Sequence, residues 1–468
     1  MSLTPRSRGR RTLAGLAATA LTLTVAGTAA TAQAQPAAEP GPLMNYVVNA
    51  TNKGSTSDVE AAIKAVGGTV VQSWPQIGVV VAQSTDADFK ADVRNAAPAQ
   101  TIQSVGATRT AAVSEGPAEA STQSIEAETA VVPDPRESEQ WDMQEIKANL
   151  AHEITDGSRS VLVGINDSGI DETHPDLAPN FDAANSVNCI DNGVPNTTPG
   201  AWRPTTSDHG QHVAGTVAAA RNGVGIVGVA PNVRIASVKV VNDDGFIYPE
   251  YSICGFIWAA EHGMAVTNHS YFIDPWLFWC DDDADQGAVQ TSVRRAVAYA
   301  TGKGSLAVAA AGNSNYDLAN KTTDSSSPND TTPAPRTINN DCLDMPTELP
   351  GVITVSSLDR GGAKSSFSNF GLEVIDVAAP GRAILSTVLG GRYGLKSGTS
   401  MASPHVAGVA ALVKSAHPTY TPAMVTQALH SQADDHACPT TDARCVGTAD
   451  DNAFYGEGIT DALDAVTR

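Results

Sequence analysis

The chain has 468 residues, 42% hydrophobic and 17% charged, with a formal net charge of −21. That balance supports a large core plus at least one smaller unit and excludes wholesale disorder. The acidic excess argues against nucleic acid and anionic membrane as partners, because both repel a negative surface.

In chain order, residues 1–34 read first as a secretory signal peptide. Arg6, Arg8, Arg10 and Arg11 precede an uncharged run from Leu13 to Ala32, and "AQA" at 32–34 offers small residues for cleavage. The run is rich in Ala and Thr, which argues against a spanning anchor. The Arg10-Arg11 pair leaves a twin-arginine route open beside the general one. Without these four arginines the remainder stands near −25, an acidic protein expected outside the cell, free of the membrane and monomeric.

Residues 44–105 alternate "NYVVNA", "SDVEAAIKAVGG", "GTVVQSW", "IGVVVAQ", "DADFKADVRNA" and "TIQSVGA". The first helix is expected to open on a capping box from Ser57 to Glu60, the second on Thr85. The order β-α-β-β-α-β predicts a small α+β ferredoxin-like unit. Residues 106–139, with Pro117, Pro133, Pro135 and many glutamates, read as a flexible acidic linker.

Residues 140–468 carry near-continuous apolar runs: "SVLVGIND" (160–167), "RIASVKVV" (234–241), "MAVTNHS" (264–270) and "SLAVAAAGN" (305–313). Strands of this kind are buried on both faces, and helical stretches separate them. The prediction is an α/β unit with a mostly parallel sheet flanked by helices. Reactive groups are expected at the carboxyl ends of its strands, where Asp167 and Asn313 stand. Six cysteines in an exported protein predict disulfides; Cys438 with Cys445 closes a short local loop, and the pairing of the other four stays open.

Two stretches carry chemistry. "SDHGQHVAG" (207–215) sets His209 and His212 three apart beside Asp208, a spacing that fits a metal site, a catalytic base or a plain helix start. "SGTSMASPHVAG" (397–408) sets Ser400 at the mouth of a helix of small residues, with Pro404 expected in its first turn. A serine there has backbone N–H groups and the positive helix end beside any developing oxyanion.

With "INDSGIDETHPDL" and "DHGQHVAGT", these residues give the order Asp167, His209, Ser400, and the chain resembles the subtilisin-like serine peptidases. The resemblance runs from about Gln140 to Val466 and ends in "YGEGITDALDAV". It implies Ser400 as nucleophile, His209 as base, Asp167 as its orienting carboxylate and Asn313, in "AAAGN", as oxyanion donor. It implies an acyl-enzyme route with no cofactor for the chemistry, protein or peptide substrates, and His212 as a packed helix residue. Residues 44–105 resemble the family's inhibitory propeptide, which implies a self-processed zymogen cut within the linker.

Some positions depart from the family pattern. Gln211 replaces a threonine beside the base. In "TNHSYF", His269, Tyr271 and Phe272 replace methionine, leucine and glycine, so the family's preference for large apolar residues does not carry over. Ser270, Tyr271, Phe272 and Gly312 are the expected substrate-binding residues. Asp176 matches a position that holds a structural calcium in many relatives, although the loop "RNGVGIV" that completes it is altered. The loop "CDDDAD" (280–285) reads as solvated acid. No G-x-S-x-G elbow surrounds Ser400, which argues against an esterase; a catalytically silent relative acting as a binding or scaffold protein is the alternative.

Overall fold

The computed structural model describes residues 41–113 and 134–468. The signal-peptide segment and most of the acidic linker lie outside the described residues.

The N-terminal unit comprises β1 (Met44–Ala50), α1 (Ser57–Ala65), β2 (Thr69–Trp74), β3 (Val79–Ser84), α2 (Phe89–Ala96) and β4 (Ile102–Ala107). Its antiparallel sheet runs β2-β3-β1-β4, the arrangement a ferredoxin-like order produces. Side chains alternate across it. Val48, Val80 and Ala82 pack under α1 and α2, while Val47 and Val79 face the larger unit. Both helix starts differ from expectation. The first cap is Thr56, whose hydroxyl donates to Glu60 Oε1 at 2.7 Å. The second helix begins at Phe89, because Asp86 first forms a turn by accepting the Asp88 N–H at 3.0 Å.

The larger unit contains α3 (Trp141–Glu145), α4 (Ala148–Ala151), β5 (Leu162–Asp167), β6 (Val187–Asn188), α5 (His209–Ala218), β7 (Arg234–Lys239) and α6 (Pro249–Glu261). Then come β8 (Val266–His269), α7 (Ala284–Gly302), β9 (Leu306–Ala310), β10 (Thr323–Asp324), β11 (Arg336–Thr337), β12 (Val352–Leu358) and β13 (Val377–Pro380). The chain closes with β14 (Ile384–Val388), β15 (Arg392–Lys396), α8 (Thr399–Ala416), α9 (Pro422–Gln432) and α10 (Asp464–Thr467).

Seven strands form one sheet in the order β13-β12-β9-β8-β5-β7-β6, every adjacent pair parallel. Val163, Ile165 and Val308 point to the α5 and α8 side, whereas Leu162, Ala307 and Ala309 point to the α6 and α7 side. Burial on both faces is why these strands read as unbroken apolar runs.

Pro404 sits in the second turn of α8, not the first. Its missing N–H leaves the Ser400 carbonyl without a helical donor, and the Ser270 hydroxyl donates to that oxygen instead at 2.9 Å. The proline thereby couples the serine-bearing helix to the end of β8. Three disulfides form: Cys189–Cys254, Cys280–Cys342 and the expected local pair Cys438–Cys445.

The N-terminal sheet lies against α6 and α7. Arg295 of α7 donates to the carbonyls of Ala50, Ile77 and Gly78 at 2.9 to 3.1 Å, and Asn49 donates to Ala288 O at 2.9 Å. Arg109 and Asn45 both reach the buried Glu250 of α6. The "CDDDAD" loop is exposed over residues 281–284, as a solvated acidic loop is, and it also serves the structure: Asp283 caps α7, and Asp285 accepts from Lys90 at 2.8 Å.

Candidate active site

The parallel sheet ends in a cleft of about 700 Å³, lined by Asp167, His209, Asn313 and Ser400 together with Ser270, Tyr271, Phe272 and Gly312. Asp167 is the last residue of β5, His209 the first of α5 and Ser400 the second of α8. The sheet edge therefore gathers three side chains that lie far apart in the chain.

His209 Nδ1 lies 2.8 and 3.0 Å from the two carboxylate oxygens of Asp167. The carboxylate is 2% exposed and the imidazole 31%, so the acid is enclosed while the ring reaches the cleft. Burial pulls the His209 pKa down, but the charge and hydrogen bond of Asp167 outweigh it and hold the ring above the usual histidine range. Ser168 braces the pair: its N–H donates to Asp167 Oδ1 at 2.7 Å, and its hydroxyl accepts the Gly210 N–H at 2.9 Å. A side chain at Gly210 would come within 2.7 Å of the Gly169 carbonyl, so glycine there lets α5 approach β5.

Ser400 Oγ donates to the Ser270 carbonyl at 3.3 Å. Asn313 Oδ1 accepts from Thr399 N at 2.8 Å and Thr399 Oγ1 at 2.9 Å. With its oxygen fixed in this way, the Asn313 side chain keeps its N–H donors for the cleft. Gly312 has φ +97°, a conformation suited to glycine, and a Cβ there would meet Asn369 Nδ2 at 2.4 Å. Asn369 shapes this turn by donating to Ala311 O at 2.8 Å and accepting from Ser314 and Tyr316.

The two histidines of "SDHGQHVAG" diverge. His212 Nε2 lies 3.0 Å from Ile384 O and 3.1 Å from Gly394 O, and burial first of all lowers its pKa to about 4. It anchors the β14–β15 hairpin as a neutral ring. Among the described residues, no group of three His, Cys, Asp or Glu side chains is arranged to hold a metal ion. Gln211 is buried and braces the loop after β5, accepting from Asp171 N at 2.7 Å.

Tyr271 turns its hydroxyl inward, 3.2 Å from Ser252 Oγ and 2.9 Å from His269 Nδ1. Its ring is a wall of the cleft. His269 is stacked on Phe256 with ring centroids 4.4 Å apart, and burial takes its pKa down to about 3. Phe272 packs against a cluster of Leu277, Phe278 and Leu318.

Asp176 is buried beside the loop 222–226. Its Oδ2 accepts from Ile226 N at 3.0 Å and Tyr393 OH at 2.8 Å, while its Oδ1 has no partner. Burial, with a smaller contribution from the nearby charge of Asp134, raises its pKa to about 6. This orphaned carboxylate oxygen, with the charge of Asp134 nearby, is a hard-oxygen ligand of the kind calcium takes, but no third acid joins it among the described residues.

Sequence reading missed Ser168, Asn369, Asp274, Asn329 and Asp344, all of which border the cleft. Ser168 was within reach, since it follows Asp167 directly. The other four come from loops that only the fold brings to this edge.

The subtilase family model matches residues 158–458. Subtilisin NAT of Bacillus subtilis subsp. natto is 34% identical over 296 residues, covering 63% of this chain and 65% of that protein. Subtilisin of Bacillus pumilus is 35% identical over 296 residues, covering 63% of this chain and 90% of the relative. The chain thus spans just under two thirds of the length of subtilisin NAT. Among solved structures, the epidermin leader peptide processing serine protease of Staphylococcus aureus superimposes with a TM-score of 0.67 at 22% identity, covering 91% of this chain and 98% of that one. Fervidolysin of Fervidobacterium pennivorans gives 0.65 at 24% identity, covering 93% and 62%. These last two are likenesses of fold. The family match takes in every strand of the parallel sheet and the cleft at its carboxyl edge, and on that match the chain belongs to the subtilase family.

Proposed function

We propose that this protein is a secreted serine endopeptidase made as a self-processed zymogen. The observation that carries the reading is the 2.8 Å contact between Asp167 and His209, in one cleft with Ser400 at the N-terminus of α8.

An unaided serine hydroxyl is a weak nucleophile, so a base must take its proton as it attacks. His209 is that base. Asp167 holds Nδ1 protonated, which leaves Nε2 free to receive the Ser400 proton and later to deliver it to the leaving amine. The Ser400 hydroxyl leaves the Ser270 carbonyl to engage His209 in this step. As the scissile carbonyl becomes tetrahedral, its oxygen gains charge; the Asn313 amide, the Ser400 N–H and the positive end of α8 stabilise it. Water then attacks the acyl-enzyme by the same proton path in reverse.

The N-terminal unit acts in this reading as the chain's own inhibitor. Its contacts with α6 and α7, and the bonds from Thr110 N and Ala111 N to Asp330 at 2.8 and 3.0 Å, support it: they direct the chain toward Asn329 at the cleft. Processing would fall within residues 106–139, and export would depend on residues 1–34. Asp176, with Asp134, would hold a structural calcium that neutralises two buried acids and takes no part in the chemistry.

The test is Ser400→Ala in the full chain. We expect loss of peptide hydrolysis by about 10⁶-fold in turnover, the size recorded for subtilisin, together with loss of linker cleavage by intact-mass measurement. A mutant that processes itself at the normal rate would refute the assignment.

A further inference from the structure

The cleft that holds Ser400, Asn313 and Gly312 is also bordered by Asp274, Asn329 and Asp344; Asp274 and Asp344 are buried, and these three residues form what we call its floor. Resting on the peptidase reading above, we propose that this floor selects substrates with a cationic side chain, arginine or lysine, on the residue that donates the scissile carbonyl, and that Asp344 determines the specificity.

Two acceptors of the floor lack donors. Asp344 is 1% exposed, and its Oδ1 is buried with no hydrogen-bond partner. Asn329 donates its Nδ2 to Asp274 Oδ1 at 2.6 Å, which fixes the amide orientation and leaves its own Oδ1 buried and unpaired. Asp274 Oδ2 is taken by Ile247 N at 2.5 Å. Two orphaned buried acceptors on the lining of one cleft are costly unless a ligand satisfies them.

The charge points the same way. Lys321, the buried cation nearby, is engaged by Glu348, and Glu348 also accepts the Asp344 N–H at 2.7 Å. Among the described residues neither Asp344 nor Asp274 forms a salt bridge, although the charge of Lys321 partly favours an ionised Asp344. Burial, and then the charge of Glu348, push the Asp344 carboxyl well above the usual range; burial likewise takes Asp274 to about 7. A guanidinium or ammonium group brings both the missing charge and several N–H donors.

Position sets which substrate residue is read. A Cβ on Gly312 would lie 3.6 Å from Asp344 Oδ2, so the carboxylate stands just behind the turn that carries Asn313. The residue whose carbonyl meets Asn313 is the one whose side chain runs past Gly312 toward Asp344. The loop bearing Asp344 is held by the Cys280–Cys342 disulfide two residues earlier, which suits a rigid specificity floor.

The test uses the processed enzyme and quenched-fluorescent peptides identical except for Arg, Lys, citrulline, Leu or Phe before the scissile bond. Citrulline keeps the shape of arginine without its charge. We expect kcat/KM for Arg to exceed that for citrulline and Leu by about 10²-fold, the size of a desolvated charge-assisted pair. Asp344→Asn should bring the Arg-to-Leu ratio close to unity, chiefly through KM. The citrulline comparison needs no variant, so it stands even if Asp344→Asn folds poorly. Equal rates for Arg and citrulline, faster cleavage after Leu or Phe, or an unchanged ratio in Asp344→Asn would overturn the pocket assignment alone. Cleavage of none of the peptides would overturn the peptidase reading and this inference with it.

Discussion

At the rim of the cleft the polar atoms are paired: both oxygens of Asp167 meet His209, Ser168 braces them, and Asn313 Oδ1 is held by Thr399. On the floor, Asp344 Oδ1 and Asn329 Oδ1 are buried acceptors that the protein leaves unpaired. The contrast separates two tasks. Groups that perform chemistry must be held in one geometry before substrate arrives, which requires a complete hydrogen-bond network. A group that recognises a substrate charge is most discriminating when the substrate supplies its missing partner.

The largest effect short of removing the nucleophile should come from the rim. Replacing Asn313 by Leu removes the donor that its fixed oxygen leaves free, and kcat should fall about 10²- to 10³-fold with KM little changed, as recorded for the corresponding donor in subtilisin. A fall in KM-dependent binding with kcat intact would mean that Asn313 belongs with the floor and its recognition role.

A smaller effect is a shift of the acid limb of activity. In the proposed mechanism His209 must be neutral to accept a proton; burial lowers its pKa, but the charge and hydrogen bond of Asp167 outweigh this, so the pKa is raised. Activity should therefore be lost as pH falls through a midpoint above the ordinary histidine value of about 6.5. A kcat/KM profile with its acid midpoint below about 6 would break the link between the paired carboxylate and the base.

The smallest effect asks whether an orphaned acid elsewhere also awaits a ligand. Asp176 is pushed up to about 6, so the folded state favours its protonated form and loses that stability as pH rises through this value. Calcium binding to the ionised form should then raise Tm by about 5 °C near pH 8 and by progressively less toward pH 5. Chelation should reverse the gain, and Asp176→Asn should abolish it. No calcium response at either pH would leave the site as a plain hydrogen-bonded acid.

Much of this was legible in the chain. The β-strand runs, the small N-terminal unit and the order Asp167, His209, Ser400 follow from local patterns, because two-sided burial and helix-start chemistry leave direct marks on neighbouring residues. What escaped depends on distant contacts. Pro404 was expected in the first turn, and only the Ser270 hydroxyl explains how the second turn tolerates it. Tyr271 lines the cleft as expected, but the inward turn of its hydroxyl depends on His269 and Ser252. Asp344 lies in "DCLDMP", a stretch with no local signal, and its meaning comes from lying behind Gly312.

The central claim, that Ser400 is a nucleophile activated by His209 and Asp167, is tested most directly by labelling the processed enzyme with an organophosphofluoridate and mapping the adduct by mass spectrometry. The expected result is a single phosphorylated residue, Ser400, formed in step with the loss of activity. An adduct on another residue, or full activity after Ser400 is labelled, would contradict the account.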